Sequence, residues 1–194
     1  MKKLLFLIAI VCVTAASASA QYYPSAKFNI GIDGGVPLGT VSNYYSGTAG
    51  ISFQYQFPIG LSPINLVLST GYMGYFTDSG YGGYYDDGFG GGGYYSTSGD
   101  VASFIPVEAG LKYYFNRHIF IEGDAGVSFN INSDTKYYTG SQTAFIYAPG
   151  IGYAMPVGFS KTSVELSLRY ESRLETDWGY NQLALRAAFC FGGK

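Results

Sequence analysis

The sequence predicts an all-β fold, an eight-stranded antiparallel up-and-down transmembrane β-barrel. Three observations predict it. Apolar and polar residues alternate with period two through eight segments, as they do on strands with two unlike faces. The connections alternate between turns and longer loops, so an even strand count puts every short turn on one side and every loop on the other. Membrane barrels have that asymmetry and soluble barrels have no need of it. The chain also carries 20 Tyr, 14 Phe and 28 Gly, with charged residues at 12% against a usual share of about 25%. Such a composition favours strands over helices.

The first twenty residues stand apart. Lys2-Lys3, the short apolar run Leu4 to Val13 and Ala18-Ser19-Ala20 form a secretory signal peptide with cleavage after Ala20. The run is shorter than the roughly 20 residues of a spanning helix. Residues 21–194 then make one barrel domain. Cleavage removes Cys12 and leaves Cys190 alone, which excludes an internal disulfide and any Cys/His metal spacing. A mildly acidic chain with no basic run argues against nucleic acid. No run after Val13 could span as a helix, so a membrane crossing requires a closed barrel.

Strand one covers Lys27 to Gly35, with Phe28, Ile30 and Ile32 opposite Asn29, Gly31 and Asp33. Val36 to Gly47 is a loop. Strand two, Thr48 to Phe57, alternates Ala49, Ile51, Phe53, Tyr55 and Phe57 with small and polar residues. After the turn Pro58 to Pro63, strand three runs from Ile64 to Phe76, with Val67 and Met73 on the otherwise polar side. Thr77 to Asp100 is a long loop with nine glycines, five tyrosines and four aspartates, and no Lys or Arg. Strands four and five form the hairpin Phe104 to Ile131 about Asn116-Arg117-His118. Asn132 to Thr143 is a loop, and strand six runs from Ala144 to Met155 with a bulge expected at Pro149. The turn Pro156 to Thr162 leads to strand seven, Ser163 to Arg173. The loop Leu174 to Tyr180 carries Trp178, and strand eight is Asn181 to Phe191.

Which face points outward decides the class. A soluble barrel turns its apolar side in, and a membrane barrel turns it out. The polar parity here includes Gly50, Ser52, Gly110, Gly126, Gly150, Gly152, Ser167, Ala184 and Ala188, which suit a narrow lumen better than a soluble surface. Aromatics gather at strand ends: Tyr72, Phe76 and Tyr170 near loops, and Phe57, Tyr113, Phe115, Tyr153, Phe189 and Phe191 near turns. Two such girdles fit an outer-membrane barrel.

The signal peptide, the eight-strand pattern and the segment I-P-V-E-A-G-L-K-Y-Y-F (Ile105 to Phe115) resemble the small outer-membrane β-barrel domain family of Gram-negative bacteria. Members are OmpX-like or OmpA-transmembrane-like. The resemblance spans essentially all of residues 21–194 and rests on pattern. It implies a Gram-negative outer-membrane location, lipid as surroundings and insertion by the barrel-assembly machinery. Gln182, Ala184, Ala187 and Phe189 match the family's C-terminal assembly signal, with alanine where glycine is usual, and Gly192-Gly193-Lys194 extends beyond it.

Inward charges follow from parity: Asp33, Glu108, Lys112, Glu122, Asp124, Glu165, Arg169, Glu171 and Arg186. If Phe115 pairs with Ile119, Lys112 faces Glu122, and opposed opposite charges attract. Charges in a narrow lumen must be matched, because an unpaired buried charge is costly. They therefore read as lumen filling rather than a conducting path. Glu122 and Asp124 share a face as acid–base pairs do, but no nucleophile accompanies them, and the single histidine, His118, lies on a turn. No enzymatic activity, cofactor or metal is expected. Tyr81, Tyr84, Tyr85, Asp86, Asp87, Phe89, Tyr94 and Tyr95 make the long loop the candidate surface for an extracellular ligand, since Tyr and Gly give adaptable contact area. A solvated loop without a ligand fits the same residues. The expected role is a monomeric barrel with a structural or cell-surface interaction function. A narrow passive pore and a soluble, secreted ligand-binding barrel are the alternatives.

Overall fold

The computed structural model describes residues 26–77, 82–86, 92–96, 101–132, 142–157, 162–175 and 179–192. The expected signal peptide, Tyr81, Asp87, Phe89 and Trp178 lie outside these residues. Ten strands occur among them: β1 Lys27–Leu38, β2 Tyr45–Pro58, β3 Ile64–Thr77, β4 Gly82–Asp86, β5 Gly92–Ser96, β6 Val101–Tyr114, β7 Ile119–Asn130, β8 Thr143–Pro156, β9 Ser163–Leu174 and β10 Tyr180–Phe191. Eight of them close into a barrel in the order β1-β10-β9-β8-β7-β6-β3-β2, every pairing antiparallel. Closure leaves no sheet edge in the wall. Among the described residues no helix is long and apolar enough to cross a membrane.

Three expectations need correction. The long loop is not strand-free. β4 and β5 form a small ribbon of their own, hidden from a search for alternation because glycine and tyrosine give no apolar–polar contrast. The first loop is also shorter than expected. β1 continues to Leu38 and β2 begins at Tyr45, and a 3₁₀ turn at Gly39–Asn43 connects them. Gly39 has φ +72°, which glycine adopts without steric cost. Third, Pro149 makes no bulge. The β8–β9 ladder is interrupted between Tyr147↔Ser172 and Gly150↔Arg169 and resumes in the same register. Proline lacks the N–H for the ladder, so the strand loses pairing there without gaining a residue. The β3–β6 ladder is interrupted in the same way around Pro106, whose carbonyl accepts a bond from Thr70 Oγ1 at 2.9 Å. The register shift that does occur lies between Tyr45 and Gly47.

The faces are unambiguous. Ile32, Ile51, Leu68, Leu111, Ile121, Ile151, Leu168 and Leu185 are exposed on the outer wall, and so are their apolar neighbours on each strand. Charged and polar residues of the other parity are buried inside. This is the inverse of a soluble barrel and the arrangement of a transmembrane one. The turn-side aromatics Phe57, Tyr153, Phe189 and Phe191 and the loop-side Tyr72 and Phe76 are exposed on the same outer face.

Candidate functional site

The lumen holds the chemistry-bearing side chains. Alternation of β-strand side chains places them there, and small residues across the wall make room. A Cβ at Gly110 would meet Asp124, and one at Gly152 would meet the Phe120 ring. All nine charged residues picked out by parity are buried. They fall into stacked layers from the turn end to the loop end.

Nearest the turns, Tyr114, Phe120 and Ala154 pack together. The Tyr114 hydroxyl lies 3.0 Å from Glu165 Oε1 and 3.1 Å from Gln56 Oε1. Lys112 comes next and is fully buried. The β6–β7 register sets Lys112 opposite Glu122. Its Nζ lies 2.7 Å from Glu122 Oε2 and 2.8 Å from Glu165 Oε2, and 4.3 Å from the Phe120 ring centroid. One ammonium thus ties β6, β7 and β9 together, and charged hydrogen bonds of this kind are the strong ones. Asn29 and Gln56 donate to Glu165, and Gln54 donates to Glu122.

One layer further, Arg169 Nη2 reaches Asp124 Oδ2 at 3.3 Å and Glu108 Oε2 at 3.4 Å. Ser69 donates to Glu108. Arg186 Nε donates to Ser52 at 2.9 Å, and its Nη1 lies 4.0 Å from Glu122. Asp33 stands opposite Arg186 across β1–β10. Glu171 accepts from Gln182 at 2.9 Å, and Gln182 in turn accepts from Thr48.

The loop end is different. Val41, Tyr45, Met73, Tyr75, Ala102, Phe104 and Tyr180 form one buried cluster. Its rings meet edge-on: Tyr75 and Phe104 at 5.7 Å, Tyr75 and Tyr180 at 5.3 Å, Phe104 and Tyr180 at 5.0 Å. The Arg173 guanidinium lies 4.6 Å from the Phe104 ring and pairs with Glu175. The 3₁₀ turn puts Val41 into this cluster, so the first loop folds over the mouth. A small cavity below it is lined in part by Phe104, Ser128, Glu171 and Arg173.

Parity reasoning missed this cap. Tyr75, Phe104 and Tyr180 share the inward parity of their strands, and the alternation alone would have placed them. Arg173 continues the inward series Glu165, Ser167, Arg169, Glu171 by one more step. The polar partners Asn29, Gln54, Gln56 and Gln182 were likewise on the inward face and had no charge to draw attention. Glu122 and Asp124 engage Lys112 and Arg169, so both carboxylates have cationic partners. His118 sits on the β6–β7 turn, stacked on Tyr153 with its Nδ1 3.0 Å from the Ala154 carbonyl. Of the candidate loop residues, Tyr84, Tyr85 and Asp86 belong to β4, and Tyr94 and Tyr95 to β5.

A closed antiparallel barrel with an apolar outer wall and a polar interior is the arrangement of a membrane barrel. The chain is similar to Ail, the attachment invasion locus protein of Yersinia pestis. In a phospholipid bilayer nanodisc that protein matches with a TM-score of 0.54 at 14% identity, covering 87% of this chain and 100% of that one. Its crystal structure matches with a TM-score of 0.51 at 14% identity, covering 88% and 100%. The fold is that of a small eight-stranded outer-membrane barrel. No protein-family model matches the chain, and no curated protein matches it in sequence. At this identity the likeness concerns the fold, and the filling of the lumen is argued from this chain's own residues.

Proposed function

We propose that the protein resides in the outer membrane of a Gram-negative bacterium. Residues 1–20 direct its export and are cleaved after Ala20, and the barrel-assembly machinery inserts it. Its role is structural or a contact at the cell surface, without catalysis, cofactor or metal. The observation that carries this reading is the inverted wall, with exposed aliphatic and aromatic side chains around a buried ionic core. Water would not tolerate that surface, because apolar patches of this extent drive association. Lipid would, and the girdling aromatics suit the two interfaces.

The lumen supports a barrel that does not conduct. Lys112 and Arg169 each bridge two carboxylates across the bore, and the aromatic cluster with Val41 caps the loop end. An ion would have to displace both layers. The contact function falls to the loop side, where the segment from Thr77 to Asp100 offers tyrosine, glycine and aspartate without a basic residue. An extracellular ligand or another surface molecule engages there.

Two measurements test the proposal together. Outer-membrane fractionation with boiled and unboiled gel samples should give a heat-modifiable band in the outer-membrane fraction, and recovery in the soluble periplasm would overturn it. In planar bilayers the purified barrel should give no steady conductance steps. Regular steps would favour the narrow pore instead. Deletion of residues 80–93 should preserve the heat-modifiable band.

A further inference from the structure

The loop between β3 and β6 contains the tetrapeptide Gly-Gly-Tyr-Tyr twice. Gly82-Gly83-Tyr84-Tyr85-Asp86 makes β4, and Gly92-Gly93-Tyr94-Tyr95-Ser96 makes β5. The two pair antiparallel, with Gly82 opposite Ser96, Tyr84 opposite Tyr94 and Asp86 opposite Gly92. One copy of the motif is therefore the pairing partner of the other. The ribbon they form is a sheet separate from the barrel. Among the described residues, each of its strands has one side with no neighbouring strand.

A free strand edge templates pairing with another chain, and proteins blunt such edges with very short strands, charged side chains (lysine above all), proline or a bulge. β4 and β5 are five residues each and Asp86 is their one charge; from Thr77 to Asp100 there is no Lys, Arg or Pro, and the β4–β5 ladder runs without a register shift. Glycine-rich strands also specify their partner weakly and take alternative pairings readily. Copies in one membrane share one orientation. Translating the ribbon sideways brings β5 of one copy beside β4 of the next, again antiparallel. That contact joins the same two pentapeptides that already pair within a single chain.

We propose that the β4–β5 ribbon is a homotypic contact, in which β5 of one barrel pairs with β4 of a second copy of this chain. The inference rests on the membrane reading above, which supplies the common orientation. Five residue pairs make a small interface, well below the size of a stable complex. The contact therefore gathers barrels at the high local density of a membrane rather than making a tight dimer. Because it joins two different edges it does not close on itself as a two-fold contact does, and it propagates into rows.

Thiol cross-linking in isolated outer membranes tests this. The buried Cys190 is replaced by serine, and Gly82→Cys and Ser96→Cys are placed in differently tagged copies and co-expressed. Copper-catalysed air oxidation should yield the mixed dimer at least several-fold above either variant alone. Ser42→Cys on the exposed first loop, co-expressed with Ser96→Cys, should give only the background level. A mixed dimer no stronger than that control overturns the proposal, and so does efficient dimerisation of Tyr94→Cys by itself, which would mean β5 pairs with β5. Heat modifiability is read on the same samples. A folded, inserted barrel without the mixed dimer sinks the contact alone, and loss of the inserted barrel sinks the membrane reading.

Discussion

The middle of the lumen and its loop end solve one packing problem with opposite chemistry. Around Lys112 and Arg169 the bore is filled by ion pairs and amide hydrogen bonds. Around Tyr75 and Phe104 it is filled by rings and a methionine. Both fillings occupy the same strand parity. The inward face of a membrane strand is therefore defined by where it points and not by its polarity. The ionic layer needs each partner at its own register position, because a carboxylate left alone in a narrow bore keeps its full desolvation cost. The aromatic layer needs volume and shape, which several side chains can supply.

That difference makes ranked predictions. Lys112→Met leaves Glu122 and Glu165 without their shared cation, and breaking a buried pair this way costs about 3–5 kcal/mol. Urea unfolding of the barrel in lipid vesicles should show the largest loss of the set, and a loss below about 1 kcal/mol would mean water already screens the layer. Next is the outer wall. Val107→Arg, near the middle of β6 and exposed on the outer wall, should cost about 2–4 kcal/mol in vesicles, whereas on a water-facing wall it would be close to neutral. Gly126→Ala is third. Its Cβ would meet the Val107 carbonyl oxygen and Glu108 backbone, and overpacking of this kind costs about 1–3 kcal/mol. The aromatic cap should yield least. Phe104→Leu nearly conserves volume and should cost under about 1.5 kcal/mol. If it costs more than Lys112→Met, the contrast between the two layers is wrong.

Much of this organisation was legible in the sequence, for a physical reason. Period-two alternation reports the direction of each side chain, so the eight wall strands and the outward position of Ile121 and Leu111 followed from it. A three-residue turn after Phe115 sets the hairpin register, and Lys112 stands opposite Glu122 in the structure. The remainder was hidden where alternation carries no contrast. The Gly-Gly-Tyr-Tyr repeats of β4 and β5 have no apolar and polar sides to compare. Pro37 and the flanking glycines disguised the end of β1 as loop. Pro149 could have been accommodated by a bulge or by a gap in the ladder, and composition does not choose between them. The cap was missed because tyrosines near strand ends fit an interfacial girdle as well as they fit a lumen. Tyr72 does sit on the outer wall, 39% exposed, and Tyr75 is buried at 2%. Three residues of sequence separate the two roles, and only parity distinguishes them.

The most direct test of the central claim is the environment of adjacent parities on β6 and β7. Nitroxide labels at Leu111→Cys and Ile121→Cys, in a Cys190→Ser background reconstituted in vesicles, report contact with lipid-soluble oxygen against a water-soluble nickel complex. Both labels should be relaxed by oxygen and shielded from nickel. Strong nickel relaxation at these two positions in a folded barrel would place the apolar wall in water and contradict the account.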